Sequence, residues 1–310
     1  MIMRKYLVTG LYLLIIGVVL AVGGHMMGAS KTVVWHHGFQ VSKSVDTTKS
    51  VGKFSKIEAD TEISNIKVKS GDKFQVQVVG DQFSKGEYKI KDDTLVVSEK
   101  YLDSGHVGVS SNHKIVVTIP KGTQLENVDL TMGDSNARLV HIDTKNLKVH
   151  SNDDDIGLLA LNSVKVTDSA EVNLNHARLW INKSHLNNLK MLTDSSTDIN
   201  FIKSTISNSK LDLHQGYLDI EDSVLENNTI SMSQGRVELE ESQIHGINGF
   251  DLEQGQFEAE EVNTDGLDLS TKNGEIEYLD SKKNERSFQN NPDAGNLLRV
   301  SSTQGKIVIK

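Results

Sequence analysis

Lys210-Leu-Asp-Leu-His-Gln-Gly216, Thr229-Ile-Ser-Met-Ser-Gln-Gly235 and Gly249-Phe-Asp-Leu-Glu-Gln-Gly255 are three passes of one unit. Each glycine is followed by a second alternating run: Tyr217-Leu-Asp-Ile-Glu221, Arg236-Val-Glu-Leu-Glu240 and Gln256-Phe-Glu-Ala-Glu260. The turn glycines Gly216, Gly235, Gly255 and Gly274 fall at steps of 19, 20 and 19. Within each run apolar and polar residues alternate, the period of a half-buried strand and not of a helix. Units repeating at a fixed step of this size stack on one another, because none buries its apolar side alone. The pattern predicts an all-β chain: a β-solenoid of the single-stranded β-helix type.

Outward from these three units, the first strand of each coil can be followed through Val128/Leu130, Leu147/Val149, Val164/Val166, Leu189/Met191, Leu211/Leu213, Ile230/Met232, Phe250/Leu252 and Leu267/Leu269. The steps are 19, 17, 25, 22, 19, 20 and 17, with the excess of the long coil placed near 175–180. Serines at chain corners, Ser184, Ser204, Ser223 and Ser242, keep steps of 20, 19 and 19. Two landmarks with one step make chance a poor explanation. The polar stretch 281–296 interrupts the repeat, and 297–310 returns as a final coil with Gln304-Gly305 in the turn position. Eight or nine coils at ~4.8 Å spacing predict a rod about 40 Å long.

Composition agrees. Eight Phe, six Tyr and two Trp are few, as suits a thin core of stacked aliphatics, and only two prolines interrupt so much paired strand. The absence of cysteine excludes disulfides, thiolate metal sites and a lipid-modified cysteine. A net charge of −9 argues against nucleic acid as a partner.

Arg4 and Lys5 precede residues 6–24, which hold no charge. That length suits a membrane-crossing helix, and basic flanks stay on the cytoplasmic side. The expected order is a cytoplasmic segment 1–5, a transmembrane helix 6–28, a juxtamembrane linker 29–53, an N-terminal β-cap 54–124 and solenoid repeats 125–310. The chain is then a single-pass cell-membrane protein with an extracellular ectodomain. The alternative is a signal peptide cleaved near Gly28-Ala29-Ser30. Within the linker, Trp35 is placed at headgroup level, and His36-His37 reads as exposed. In the cap, Ser70-Gly71-Asp72 and Asp92-Asp93 read as hairpin turns, and the Gly- and Ser-rich stretch 103–112 as a surface loop.

The order Phe54-Ser-Lys-Ile-Glu-Ala-Asp60, Ile63-Ser-Asn-Ile-Lys-Val-Lys-Ser-Gly-Asp72, Leu95-Val-Val97, Ile115-Val-Val-Thr-Ile-Pro120 and then glycine-punctuated repeats resembles the bacterial putative-adhesin β-strand-repeat family over 54–310. The resemblance implies an envelope protein, commonly anchored at its N-terminus, and supplies no catalytic residues.

The sharpest chemical feature is an acidic ladder. Asp219, Glu238, Glu258 and Glu277 occupy one outward column, and Glu221, Glu240 and Glu260 the next. Residues 209–280 hold 18 acids and 3 bases, a net of −15, whereas 31–120 hold 11 acids and 13 bases. Like charges ~5 Å apart repel by roughly 0.8 kcal/mol per pair even in water. The column is therefore either a solvated face that keeps strands from aggregating or a face for metal cations or cationic peptides. Asp153-Asp154-Asp155 lacks the spaced ligands and glycine of a calcium loop and reads as a polar turn. No metal site, cofactor or catalytic set is expected. The function expected is a non-catalytic cell-surface module that binds or senses envelope components or supports adhesion. The alternative is a polysaccharide-processing β-helix, for which Trp180 is the lone aromatic platform. Oligomeric state is open.

Overall fold

The structure, a computed structural model, describes residues 2–26, 33–35, 39–41, 43–81, 84–101, 105–107, 113–151, 157–279, 281–283 and 286–310. The expectations for Gly28-Ala29-Ser30, His36-His37, Asp153-Asp154-Asp155 and the Trp35 side chain lie outside the described residues.

A single coil shows the plan. Lys210–Glu221 bends at Gln215-Gly216, so that 210–213 lie in one parallel sheet and 215–221 in a second, and Val224–Glu226 forms a short third side. The next coil stacks in register: Leu211 on Ile230 on Phe250, Leu218 on Val237 on Phe257, and Leu225 on Ile244. The residues expected inside, Leu218, Ile220, Val237, Leu239 and Phe257, are fully buried.

The corners explain why the coils keep step. Ser184, Ser204, Ser223 and Ser242 are buried, each preceded by a residue at positive φ (Lys183, Lys203, Asp222, Glu241). Each hydroxyl donates to the carbonyl two residues back at 2.7–2.9 Å. It also accepts a backbone N–H from the preceding coil at 3.0–3.1 Å. The ladder thus satisfies buried donors that a turn would otherwise orphan. A second corner works alike through Ser209, Asn228 and Asn248, whose side-chain oxygens accept from Leu189, Ser209 and Asn228. The third corner is the glycine column, where a Cβ on Gly216 would sit 1.9 Å from the Thr197 carbonyl oxygen. Only glycine permits that approach.

The registers first correct the expected alignment of the coils. Val164 and Val166 pair with Ile142 and Thr144 on the short side, and the first-sheet positions of that coil are Ala170 and Val172. Met191, not Leu189, lies opposite Leu211. With these alignments the irregular 17, 25 and 22 become 23 (Leu147 to Ala170), 19 (Ala170 to Leu189) and 20 (Met191 to Leu211). Alternation looks the same on every side of a solenoid, so it cannot say which side a run belongs to.

The second correction concerns the last coil. Leu297–Ile309 does not follow Gly266–Tyr278 at the end of the stack; it lies between that strand and Ile247–Glu260, parallel to both. Phe250, Val300 and Leu269 form one row, and Phe257, Ile307 and Ile276 another. The polar stretch 281–296 is more than an interruption. Its strands Ser281–Lys283 and Ser287–Asn290 pair antiparallel to Gly266–Tyr278 and cover the exposed edge.

The other end repeats the device. Lys56–Thr61 lies between Thr94–Tyr101 and Gln124–Met132, and Asn65–Gly71 between Lys114–Pro120 and Asn136–Ser151. Antiparallel strands Gln75–Asp81 and Ser84–Lys91 then pair with the outer strands. Ser44–Ser50, within the stretch that sequence alone reads as linker, is a strand paired antiparallel to Gln75–Asp81. Gly105–Val107, inside the expected loop, is a strand of a small sheet with Val33–Trp35 and Phe39–Val41. The Glu99 carboxylate accepts the N–H groups of Glu62, Ile63 and Ser64 at 2.5–2.9 Å. It closes a corner of the first coil.

A helix spans Ile2–Met26, and its described side chains at 8–20 are all exposed. The expected transmembrane helix 6–28 is not borne out: among the described residues no helix is long and apolar enough to cross a membrane.

Candidate functional site

The acidic ladder is built by the second sheet. Core residues Leu218/Ile220, Val237/Leu239 and Phe257/Ala259 point inward, so the intervening acids point out. Asp219, Glu238 and Glu258 are successive register partners, as are Glu221, Glu240 and Glu260. Glu277 does not join them directly. The intercalated coil puts Val308 between Glu258 and Glu277.

That coil also brings cations. Lys310 Nζ lies 2.6 Å from Glu258 and 3.9 Å from Glu260, and Lys306 lies 2.6 Å from Glu277. Arg236 bridges Glu238 and Glu258, the latter at 2.9 Å, and the Tyr217 hydroxyl donates to Glu238. Sequence reasoning missed this neutralisation. Arg236 stood in the quoted repeat, but Lys306 and Lys310 reach the ladder only through the intercalation. The Gln304-Gly305 dipeptide, matching Gln254-Gly255, was the available signal for their register.

The ladder therefore has two electrostatic halves. At the neutralised end, the hydrogen bond and charge of Lys310 hold Glu258 below the usual carboxylate range, and Lys306 does the same for Glu277. At the other end, Asp219, Glu221 and Glu240 have no cationic partner among the described residues. Burial, then the charges of Glu240, Glu238, Glu221 and Asp198, push Asp219 up to about 6. Burial and neighbouring carboxylates also raise Glu240. The Tyr217 phenol is raised by burial and by its bond to Glu238.

A second acidic concavity escaped the sequence reading. On the first sheet, Asp194, Asp212, His214, Asp251 and Glu253 line a shallow groove of about 400 Å³. Lys210 pairs with Asp212 at 2.8 Å, and the Ser301 hydroxyl donates to Asp251 at 2.7 Å. Among the described residues no group of three or more His, Asp or Glu is arranged to hold a metal ion.

The Toastrack DUF4097 family matches residues 54–310. Solved structures similar to the chain include a "putative adhesin" from Parabacteroides distasonis ATCC 8503, at 12% identity and TM-score 0.47, covering 86% of this chain and 97% of that one. Another "putative adhesin", from Bacteroides fragilis NCTC 9343, matches at 13% identity and TM-score 0.41 over 86% and 97%. A "putative lipid binding protein" from Parabacteroides distasonis ATCC 8503 matches at 10% identity and TM-score 0.39, again over 86% and 97%. None of the curated proteins matches this chain.

Proposed function

The chain belongs to the Toastrack DUF4097 family, and from that premise we propose that it is a non-catalytic binding module displayed on the outer side of a cell membrane, held by its N-terminal helix. One observation carries the reading: flat parallel faces present outward side chains in straight columns, Asp219–Glu238–Glu258 and Glu221–Glu240–Glu260, above a fully packed core. A surface of that kind suits recognition of extended, repetitive envelope components, with weak contacts summed along the columns. The uncharged run at residues 6–24 behind Arg4 and Lys5 supports the anchor, as do the exposed apolar side chains of residues 8–20. The half of the ladder without bases, Asp219, Glu221 and Glu240, is the part open to cationic peptides or metal cations at low salt.

Protease added to intact protoplasts should remove the solenoid, and the intact chain should sediment with envelope material. Full protection of the solenoid would refute the display; absence of sedimentation would refute the anchor. The polysaccharide-processing alternative draws on Asp219, an acid whose proton affinity is raised beside Glu221 and Glu240. Release of reducing ends from cell-wall polysaccharide would favour it.

A further inference from the structure

Trp180 is half exposed, at 48%, in the middle of the second sheet's outer face. Its register neighbours are Ala160 on one side and Asn200 on the other, both too short to cover an indole. A tryptophan on a strand ordinarily buries most of its large apolar area. This one stays half exposed, on a face where Arg178, Asn182, Asp198 and Asn200 are the outward polar residues near it.

The groups around it are uncommitted. Arg178 lies two residues back on the same strand, with Asp198 as its register partner and Tyr217 beyond. The side chains of Arg178, Asp198 and Asn200 have no hydrogen-bond or ion-pair partner among the described residues. Arg178 and Asp198, two residues before Trp180 and Asn200 on their strands, also line a concavity of about 380 Å³ with His176, Thr197, Gly216 and Tyr217 at the bend between the sheets. Asn182, on the other flank, is held in place by donating to Asn162 at 3.2 Å.

We propose that this patch, centred on Trp180, binds an uncharged oligosaccharide. The inference rests on the display reading above and names the ligand class. A sugar ring has an apolar C–H face and a rim of hydroxyls that both donate and accept. The indole takes the face. Asp198 accepts from hydroxyls, Arg178 donates to them, and Asn200 does both. Charge selects against the anionic polymers of a cell envelope, because Asp219 and Glu221 stand in the next coil. The same charge disfavours nucleic acid. A protein partner would need about 800 Å² of surface with an apolar centre, far more than one indole supplies. The coils fix these groups before any ligand arrives, which lowers the ordering cost of binding.

The test uses the full chain in a zwitterionic detergent without a sugar headgroup. Trp35→Phe leaves Trp180 as the sole indole, since the sequence has two. Tetramers of N-acetylglucosamine and of glucose are titrated against indole emission, with polygalacturonate as the anionic control. A saturable shift with at least one uncharged tetramer and none with polygalacturonate is expected. By calorimetry, Trp180→Ala should weaken binding by about tenfold or more and Asp198→Asn by about fivefold, with Trp180→Phe intermediate. The thermal transition of Trp180→Ala should match the parent, which excludes misfolding. No saturable change with either uncharged tetramer, or equal binding by Trp180→Ala, overturns the proposal. Failure of tetramer binding, with the solenoid still removed by protease in protoplasts, leaves the display reading standing and removes this site. Loss of sedimentation in the parent chain removes the reading itself.

Discussion

Gly305→Ala probes the intercalated coil directly. Gly305 has φ +148°, and a Cβ there would lie 1.6 Å from the Gly255 carbonyl oxygen. On its other side, a Cβ on Gly274 would lie 1.8 Å from the Gly305 carbonyl oxygen, so no slack exists in either direction. An alanine at such a φ costs about 1–3 kcal/mol in backbone strain alone. Relieving the clash requires the strands to part by more than an ångström, which weakens two or three ladder hydrogen bonds at about 1 kcal/mol each. The total is about 3–5 kcal/mol. Two controls separate the terms. Gly122 has φ +75° with nothing within 4 Å of a Cβ, so Gly122→Ala carries the strain without the clash. Gly295 has neither, and Gly295→Ala should be neutral or stabilising by a few tenths of a kcal/mol. Hydrogen exchange by mass spectrometry on the full chain is the assay. Solenoid stability is summed coil by coil, so the loss should be local. Amides in 247–260, 266–278 and 297–309 should exchange about 10²–10⁴ times faster, while those in 128–150 keep their protection. An effect of Gly305→Ala no larger than that of Gly122→Ala would refute the close stacking. Uniform loss along the whole rod would refute the coil-by-coil account.

Leu239→Asp places a carboxylate where the parent side chain is fully buried. It should destabilise by about 4 kcal/mol or more and unfold the flanking coils, visible in the thermal transition. Ser223→Ala removes the acceptor for the Ser204 N–H and leaves that buried donor orphaned. A loss of about 1–3 kcal/mol is expected in chemical denaturation, and an unchanged midpoint would mean the serine ladder is ornamental. Acidification should stabilise the protein between about pH 7 and pH 4.5. Asp219 has a folded-state pKa of about 6, above the unfolded value of ~3.9, so the native state binds this proton more tightly. Glu240 shifts in the same direction, whereas the lowered Glu258 and Glu277 oppose only below the ordinary glutamate range. Because Asp219 is partly solvent-screened, its share is about 1 kcal/mol. Asp219→Asn should raise the thermal transition at pH 7 and flatten its pH dependence. A parent transition that falls over this window would contradict the assignment.

What the sequence disclosed and what it hid have a common cause. Alternation and the Gln-Gly turns are local, so Leu218, Val237 and Phe257 are legible as core and Ser204, Ser223 and Ser242 as a corner. Register between sheet sides is not local. Val164 alternates as well as Ala170 does, and only its partner Ile142 reveals that it belongs to the short side. The acidic ladder follows the same rule. Asp219 over Glu238 over Glu258 can be counted from a fixed step, but the place of Val308 and Lys310 depends on an insertion that no step predicts. The patch at Trp180 was legible as a lone aromatic; the free Arg178, Asp198 and Asn200 around it needed the stacking.

The two out-of-order coils bear on how the ends of such a stack are protected. A stack of parallel strands is weakest at its ends, where one edge lacks a partner and unpairing propagates inward. Here neither the first coil of the repeat, Lys56–Gly71, nor the last, Leu297–Ile309, occupies an end. Each is paired on both sides, and the strands outside it are themselves covered by antiparallel partners. Removing either coil means breaking two ladders at once, so fraying begins at the antiparallel cover strands and not at these coils. The arrangement has a kinetic counterpart. Lys56–Thr61 waits for both Thr94–Tyr101 and Gln124–Met132, and Leu297–Ile309 enters between two coils already made. These non-local pairings slow folding. Interactions completed last act mainly on the unfolding rate, so the two out-of-order coils favour slow unfolding over fast folding.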